Sequence, residues 1–417
     1  MQLKRVVVTG IGTINPLGNN ISEYFNNLDN GTSGASLITR FDASLFKTKF
    51  ACEIKDFDPE KFGIDRKEAR KLDLFAQYAL AATAEAVKDA GIDPENIDLD
   101  RAGVIVGSGI GGIETMFQEI KGYFEGGCTP RFSPFLIPKM IPDIAAGHIS
   151  MKYGFRGPNF TTVSACASST NAMTDALNYI RLGKADIIVT GGSEAGISVP
   201  SIGGFNSAQA LSTNNDNYKT ASRPFDKTRD GFVMGEGAAT LIFEEYEHAV
   251  ARGAKIYAEV SGAGLSADAH HITAPHPEGF GATQVMKLAL QDAGLKPDSV
   301  DYINVHGTST PLGDIAELKA VKEIFGEHAY KLNISSTKSM TGHLLGATGA
   351  VEALACIHAI NSGIVPPTIN FEHEDPEIDY NLNLTLNKAQ KREVNVAMNN
   401  TFGFGGHNSC IIFSKVK

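Results

Sequence analysis

The sequence has no apolar run long enough to cross a bilayer, no excess of positive charge and no paired cysteines. Its formal net charge is −10, from 37 Lys and Arg against 47 Asp and Glu. This balance argues against nucleic acid as a general partner. The five cysteines have no paired spacing, and no signal peptide precedes the first strand-like residues. We therefore expect a cytoplasmic protein with reduced thiols and no membrane association.

The composition is that of an ordinary globular protein, with 42% hydrophobic and 20% charged residues. A chain of 417 residues is long enough for two core-forming units. Strand-like and helix-like segments alternate, which predicts an α/β fold with mainly parallel sheets. Within this alternation, the pattern predicts one long helix over residues 65–90 and a loop-rich region over residues 198–232.

One stretch, NFTTVSACASSTNAMTDALNYIRLG over residues 159–183, places a cysteine where a strand ends and a helix begins. Residues 160–163 are bulky or β-branched, and apolar positions from Ala172 onward have helical spacing. A helix N-terminus carries partial positive charge and free N–H groups, which favour a thiolate. A free cysteine is more often a small buried hydrophobe, but this setting favours a nucleophilic Cys166.

Three histidine-bearing loops could supply the partners that a catalytic cysteine needs. His306 opens HGTSTP after a predicted strand, His343 ends KSMTGH, and His407 ends the glycine-rich GFGGH. A cysteine that accepts an acyl group, faced by two imidazole N–H donors, suits thioester chemistry. Backbone N–H groups of Cys166 and of the glycine-rich loop could hold the oxyanion. Each histidine taken alone could instead be structural.

A weak internal repeat relates the two halves of the chain. Residues 166–183 and 346–363 have equal length, each follows a short β-rich stretch, and both end in glycine. Two small-residue helices of this type suggest pseudo-symmetric halves. Ala-rich helices also resemble one another by chance, so the match is only suggestive.

Six ordered motifs carry a family resemblance. They are VSACASS around Cys166, RPFDKTRDGFVMGEGA (223–238), HHITAP (270–275), HGTSTPLGD (306–314), SSTKSMTGHLLGATGA (335–350) and NNTFGFGGHN (399–408). The chain resembles the β-ketoacyl-acyl-carrier-protein synthases of fatty-acid synthesis, specifically the type II elongating enzymes, over essentially its whole length. The resemblance implies an α/β, thiolase-type fold with two pseudo-symmetric halves in five α-β-α-β-α layers. It also implies a homodimer, and we divide the chain into halves 1–253 and 254–417.

The resemblance implies an acyltransferase whose reaction is a decarboxylative Claisen condensation. An acyl group held on Cys166 joins malonyl-acyl-carrier protein, giving 3-oxoacyl-carrier protein and CO2. No metal or dissociable cofactor is implied, because phosphopantetheine arrives on the carrier protein. The implied catalytic residues are Cys166, His306, His343, Lys338 and Phe404. The implied substrate contacts are Thr308, Thr310, Thr273 and Phe205, and the implied structural residues near the site are Glu352, as partner of Lys338, and Asp314.

Three positions depart from the family pattern. Ala167 stands where relatives often carry serine, which should change local hydrogen bonding and not the chemistry. His407 stands where many relatives have threonine, and we expect it to support the residues that touch substrate without touching substrate itself. Gln209 replaces an arginine that often faces the carrier, so docking there should be weaker.

A basic cluster within residues 65–71 is the predicted carrier-docking surface. In a continuous helix, Arg66 pairs with Arg70, and Lys67 with Lys71, at i,i+4 spacing on adjacent faces. The alternative is an ordinary solvated helix face. The carrier is acidic, so the resemblance favours docking, and a local basic patch on an acidic enzyme would steer it.

Other functions remain open at this stage. The segment Gly107-Ser108-Gly109-Ile110-Gly111-Gly112 satisfies G-x-G-x-x-G after a strand, as in dinucleotide-dependent oxidoreductases, but no ribose-binding acidic residue follows. A non-catalytic polyketide synthase subunit would lack the nucleophile. A ketosynthase of polyketide or aryl-lipid synthesis is the alternative that shares the mechanism. The histidines 270, 271 and 276 match no usual metal-ligand spacing, and we interpret them as loop and pocket wall.

Overall fold

Strands and helices alternate along residues 3–416, the part of the chain that the computed structural model describes. The strands are β1 (Val6–Ile14), β2 (Ser36–Leu37), β3 (Phe50–Ala51), β4 (Ala102–Gly107), β5 (Asn159–Thr162), β6 (Ile187–Glu194), β7 (Gly237–Glu245), β8 (Ala258–Ala267), β9 (Tyr302–Asn304), β10 (Asn333–Ser335), β11 (Ile364–Val365), β12 (Gln390–Lys391), β13 (Val396–Gly403) and β14 (His407–Ser414). The helices are α1 (Ile21–Asp29), α2 (Arg66–Ala69), α3 (Leu74–Asp89), α4 (Ile113–Glu125), α5 (Leu136–Met140), α6 (Ile144–Tyr153), α7 (Ser168–Arg181), α8 (Val199–Ser207), α9 (Tyr246–Ala251), α10 (Phe280–Ala293), α11 (Pro311–Phe325), α12 (Lys338–Thr341) and α13 (Thr348–Ser362).

The large sheet consists of two five-stranded parts with the same topology. The strand order is β5-β4-β6-β7-β1 in one part and β10-β9-β13-β14-β8 in the other. In both, the three strands farthest from the junction pair in parallel and the remaining pairings are antiparallel. The parts meet where Val7 and Val8 of β1 pair with Glu259 and Ala258 of β8. The predicted pseudo-symmetry is therefore present in the strand order itself.

Two helices, α7 and α13, form the central layer. They contact each other and strands from both parts of the sheet. Twelve of the fifteen residues of α13 are buried, mostly alanine and small aliphatic residues, so the backbones can approach closely from several sides. Helices α3 and α6 cover one outer face, and α10 and α11 cover the other. These five α-β-α-β-α layers are the thiolase-type fold that the resemblance implied.

The two repeat segments occupy equivalent places in this arrangement. Helix α7 follows β5, and α13 follows the equivalent strand β10. Each helix is preceded by a residue of positive φ, Ala165 at 51° and Leu345 at 48°. Alanine is the N-cap of both helices, at Ala167 and Ala347. The sequence match therefore reflects a shared strand–turn–helix geometry.

The predicted single helix over residues 65–90 is wrong. Helix α2 ends at Ala69, and a new helix, α3, begins at Leu74 after Asp73, whose carboxylate accepts a hydrogen bond from the Phe75 N–H. The same carboxylate accepts bonds from the N–H and hydroxyl of Thr115. A capping aspartate held by a distant helix thus starts a second helix where apolar periodicity alone predicts continuity.

The region 198–232 is also more ordered than its glycine-rich sequence predicts. Helix α8 occupies Val199–Ser207. Ser198 caps it by accepting the Ser201 N–H, and proline stands in the first turn. These two start signals outweigh the low helix propensity of the glycines at 203 and 204.

Candidate active site

Cys166 lies at a sharp turn between β5 and α7. The positive φ of Ala165 redirects the chain here, and the Ser168 hydroxyl closes the turn by donating to the Ala165 carbonyl at 2.6 Å. Gly403, the last residue of β13, approaches so closely that a Cβ there would lie 3.1 Å from the Cys166 nitrogen. The absence of a side chain at Gly403 lets the end of β13 lie against the cysteine turn.

The two predicted histidines meet the cysteine. Nε2 of His343 lies 3.0 Å from Sγ of Cys166. The ring centroids of His306 and His343 are 5.3 Å apart, and the two ring planes are nearly perpendicular at 87°. His343 follows helix α12 through Gly342 (φ 68°), and its N–H donates to the Val233 carbonyl at 2.7 Å. The structure thus brings together three side chains that are up to 177 positions apart in the chain.

Glu317 of α11 holds the His306 loop in place. Its carboxylate accepts the N–H groups of His306 and Gly307 at 2.9 and 2.8 Å, and the Asn400 amide at 3.3 Å. Burial raises the pKa of Glu317 to about 7, opposed by these N–H donors. Sequence reasoning missed this residue. The available signal was a glutamate one helical turn beyond Asp314 on the helix that follows the loop.

Both imidazoles are neutral. Burial lowers the pKa of His306 and of His343 well below the ordinary histidine value, and the charge of Lys338 adds to the effect. Neutral imidazoles can donate one N–H each to a developing oxyanion without bringing a positive charge into the site.

Lys338 forms a buried ion pair with Glu352, the partner that the sequence predicted for it. Both side chains are almost fully buried. Burial raises the pKa of Glu352 to about 7, and the Lys338 charge opposes that rise. Removing one partner would leave the other charge buried and unpaired.

Asp314 lies away from the reacting atoms. Its carboxylate accepts the Phe225 N–H at 2.9 Å and the Ser309 N–H at 3.1 Å, and Arg229 approaches at 3.6 Å. Burial raises the pKa of Asp314 to about 6. Its contacts tie the loop after β9 to the segment around Phe225.

The resting thiol differs from the sequence-based expectation of a thiolate. Burial raises the pKa of Cys166 to about 12, although Lys338 and the backbone N–H groups of Phe404 and Cys166 itself oppose the rise. The cysteine precedes the first helical residue, Ser168, and desolvation outweighs the helix terminus. The backbone N–H groups of Phe404 and Cys166 thus favour negative charge at Sγ, as the donors of an oxyanion hole would.

A cavity of about 580 Å³ opens onto Cys166, His306 and His343. The four predicted substrate-contact residues, Thr308, Thr310, Thr273 and Phe205, all line it. The hydroxyls of Thr308 and Thr310 lie 3.1 Å apart. The wall surface is mostly apolar, and polar side chains such as Asp230, Asp268 and Asn408 interrupt it.

A row of aromatic rings leads to the cysteine. The ring centroids of Phe404 and Phe205 are 6.1 Å apart. Phe205 packs edge-on against Phe232 with a centroid distance of 5.4 Å. Phe232 in turn packs edge-on against the His343 ring at 5.2 Å. Gly405 and Gly406, both with positive φ, follow Phe404. The ring of Phe404 is therefore carried by the glycine-containing turn that joins β13 to β14, beside the cavity.

The G-x-G-x-x-G segment is occupied by the protein itself. The fully buried carboxylate of Glu194 accepts the N–H groups of Gly109, Ile110 and Gly111, at 2.7 to 3.3 Å, and that of Gly346 at 2.9 Å. These are the N–H groups that a dinucleotide pyrophosphate would need. The oxidoreductase alternative therefore has no support in the structure, and Glu194 is a second residue that sequence reasoning missed.

The remaining predicted residues lie at or outside the cavity rim. Four predicted docking residues are exposed, and none of them lines the cavity: Arg66, Lys67, Arg70 and Lys71. Helix α2 ends at Ala69, so Lys71 lies beyond it, but the N–H of the C-cap residue Arg70 still donates to the Arg66 carbonyl. The Arg66 side chain pairs with Glu60 at 3.0 Å. The four residues remain clustered on the surface.

The three departures and the histidine cluster also have defined places. Ala167 is buried as the N-cap of α7, His407 is exposed at the start of β14, and Gln209 is exposed at the cavity wall. His276 lines the cavity and stacks on Phe280 at 4.4 Å. The wall role predicted for this cluster is consistent with that position.

No helix within residues 3–416 combines the length and apolar character needed to span a membrane.

Comparisons with known proteins agree with this geometry. The model of the β-ketoacyl synthase N-terminal domain matches residues 3–249, and that of the C-terminal domain matches residues 257–372. The chain is 49% identical over 415 residues to 3-oxoacyl-[acyl-carrier-protein] synthase 2 of Synechocystis sp., covering 100% of this chain and 99% of the relative.

Two solved structures show the same fold at 35% identity. One is a β-ketoacyl synthase from Burkholderia phymatum, with a TM-score of 0.91 and coverage of 99% of this chain and 100% of the other. The other is a type II polyketide synthase acyl-carrier protein in complex with its ketosynthase, with a TM-score of 0.88 and full coverage of both chains.

Proposed function

The chain belongs to the β-ketoacyl synthase family and is a condensing enzyme of fatty-acid elongation, and from this premise we propose that Cys166, His306 and His343 carry the reaction. One observation supports this assignment above the others. The Cys166 sulfur lies 3.0 Å from one neutral imidazole, a second imidazole stands beside it, and all three face one cavity.

In the first stage, Cys166 accepts the acyl group. Its sulfur attacks the thioester carbonyl of the incoming acyl carrier, the carbon–sulfur bond to phosphopantetheine breaks, and the carrier leaves as a thiol with the cysteine proton. The oxyanion of this step faces the backbone N–H groups of Phe404 and Cys166, which already favour negative charge at Sγ. Lys338 lowers the cost of transient negative charge on the sulfur.

In the second stage, malonyl carrier binds and loses CO2. The electron pair of the broken carbon–carbon bond becomes an enolate, whose oxygen accepts N–H bonds from His306 and His343. The enolate carbon then attacks the acyl thioester, and Cys166 leaves with its electron pair. The product is a 3-oxoacyl carrier two carbons longer. Decarboxylation drives the step, so the chemistry needs no metal or dissociable cofactor.

The other predicted residues have supporting roles. Lys338 and Glu352 set the electrostatic field of the site, and Asp314 holds the loop behind it. Thr308, Thr310 and Thr273 contact the phosphopantetheine arm. Phe404 and Phe205 line the cavity beside the reacting sulfur, where the acyl chain would lie.

We place the carrier-docking surface at Arg66, Lys67, Arg70 and Lys71. The structural relative with a bound acyl-carrier protein is a ketosynthase of the same fold, and an exposed basic cluster attracts an acidic partner. The double variant R70E/K71E should raise KM for carrier-bound substrates, whereas K331E, an exposed charge elsewhere, should not. Equal KM values for both variants would contradict this surface.

A homodimer would pair the β5 edges of two copies. Strand β5 ends the sheet, and Val163 directly after it is 59% exposed. Exposed sheet edges normally receive a cover or a partner. Val163→Lys should therefore shift the protein towards monomer in analytical ultracentrifugation. Leu45→Lys, at a residue that is 96% exposed elsewhere, should leave the mass unchanged.

Three further assignments complete the proposal. The free cysteines fit the reducing cytoplasm.

Residues 1–253 and 254–417 are the two halves, with the nucleophile in the first and the histidine pair in the second. The alternative, a polyketide ketosynthase, shares this site, but the fatty-acid relative is 49% identical and the polyketide structure 35%.

The test separates the two stages. Cys166→Ala should abolish acyl transfer from radiolabelled acyl carrier yet retain malonyl decarboxylation, because both imidazoles remain. His343→Ala should stop decarboxylation while single acyl transfer survives. Cys128→Ala, which removes an exposed thiol, is the matched control and should change neither. Label on the Cys166→Ala protein would refute the nucleophile assignment.

A further inference from the structure

A buried hydroxyl stands behind the imidazole that faces the nucleophile. Thr348 is the first residue of α13 and is 1% exposed. Its Oγ1 lies 3.2 Å from Nδ1 of His343, on the ring side opposite Cys166. The same Oγ1 accepts the N–H of Leu344 at 3.3 Å. The hydroxyl therefore has two neighbours with different hydrogen-bonding needs.

Counting protons leaves one satisfactory arrangement. The Leu344 N–H can only donate, so it takes a lone pair of Oγ1. The single hydroxyl proton of Thr348 then needs an acceptor, and among residues 3–416 only Nδ1 of His343 lies within hydrogen-bond distance. If Nδ1 carried the ring proton, the hydroxyl proton would be buried without an acceptor, which is costly.

We propose that Thr348 is a positioning residue that fixes His343 in the Nε2–H tautomer, aimed at the reacting atoms. This inference rests on the proposed function, in which His343 donates to the enolate oxygen. In the other tautomer, Nε2 would present a lone pair to that oxygen and repel it. A neutral imidazole stabilises an oxyanion only when its N–H faces that atom, so the threonine decides whether His343 can act.

The neighbouring histidine shows the contrast. Nδ1 of His306 is buried and has no hydrogen-bond partner among residues 3–416. Nothing on the protein side selects its tautomer. The two imidazoles therefore differ, since only His343 has a side chain that imposes a donor at Nε2.

The test starts with the wild-type enzyme, and one variant serves only to assign the signal. Protein labelled with ¹⁵N at histidine should show a protonated Nε2 and an unprotonated Nδ1 for His343, with the signal assigned through His343→Ala. A protonated Nδ1 in this spectrum would overturn the proposal. The spectrum does not depend on activity, so it also separates this inference from a failure of the proposed function.

Two variants of similar size then test the hydroxyl. Thr348→Val should convert the His343 signals to a mixture of tautomers and lower kcat of malonyl decarboxylation about tenfold or more, with little change in KM. Thr348→Ser should restore both the spectrum and the rate. If Thr348→Val keeps a single Nε2–H tautomer and wild-type kcat, the proposal is wrong. Wild-type enzyme without decarboxylase activity would instead refute the proposed function.

Discussion

The carboxylate of Glu194 should contribute several kcal/mol to stability, although the proposed mechanism gives it no contact with substrate. Its Oε2 accepts the N–H groups of Gly109 and Gly346, and its Oε1 accepts those of Ile110 and Gly111. In Glu194→Gln one oxygen becomes an NH2 group. Whichever way the amide turns, at least two buried N–H groups face a donor and lose their acceptor.

The magnitude follows from those two groups. Each buried donor left without a partner costs about 1–3 kcal/mol, so the variant should lose about 2–6 kcal/mol of unfolding free energy. A 417-residue chain unfolds with an entropy of about 0.9 kcal/mol/K, so Tm should fall by about 2–7 °C. Acyl transfer to Cys166 should fall too, because Gly109 packs against Ala165.

Differential scanning calorimetry at neutral pH measures this shift. Glu95→Gln, which changes an exposed glutamate, is the matched control and should alter Tm by less than about 1 °C. A Glu194→Gln protein with wild-type Tm would refute the reasoning. It would show that Glu194 is protonated in the folded protein, where burial raises its pKa, and that an amide replaces it without loss.

The remaining predictions concern a thiol, two glycines and a buried carboxyl. Because burial raises the pKa of Cys166 to about 12, its alkylation by iodoacetamide, followed by peptide mass spectrometry, should rise about tenfold per pH unit between pH 7 and 9. A plateau in that range would contradict a protonated thiol. Gly107→Ala should lower Tm strongly, since a Cβ there would lie 2.4 Å from the backbone of α7. Gly122 lies within α4 and faces open space, so Gly122→Ala should raise the unfolding free energy by about 0.5–1 kcal/mol. Equal Tm values for the two variants would show that crowding at Gly107 does not lower stability. Because burial raises the pKa of Glu317 to about 7, the folded protein binds a proton between pH 5 and 7 that the unfolded chain has lost. The unfolding free energy measured by urea titration should therefore fall as the pH rises from 5 to 7. Glu317→Gln should reduce this pH dependence. An unchanged pH dependence in the variant would show that another group causes it.

Local patterns alone predicted much of the architecture. The change from β-branched to small to helical spacing located Cys166 at a strand–helix turn, and the repeat at 346–363 predicted the second central helix. These features depend on backbone geometry and side-chain size over a few neighbouring residues. Such information is complete within each segment, so it can be read without the rest of the chain.

Local patterns failed where a distant group decides the outcome. The helix over 65–90 breaks because Thr115 and the Phe75 N–H hold Asp73 as a cap. The motif at 107–112 resembles a phosphate loop, yet Glu194 of another strand occupies its N–H groups. In both cases, the deciding partner lies tens of residues away.

The sequence determined which chemical groups are present and which of them stand at turns: one thiol, two imidazoles and a lysine. Only the tertiary structure decided their protonation and their mutual aim. Burial keeps the Cys166 thiol protonated and both imidazoles neutral, and we infer that the Thr348 hydroxyl selects which nitrogen of His343 carries the ring proton. Desolvation and hydrogen-bond satisfaction depend on every element that closes around a group, and those elements come from both halves of the chain.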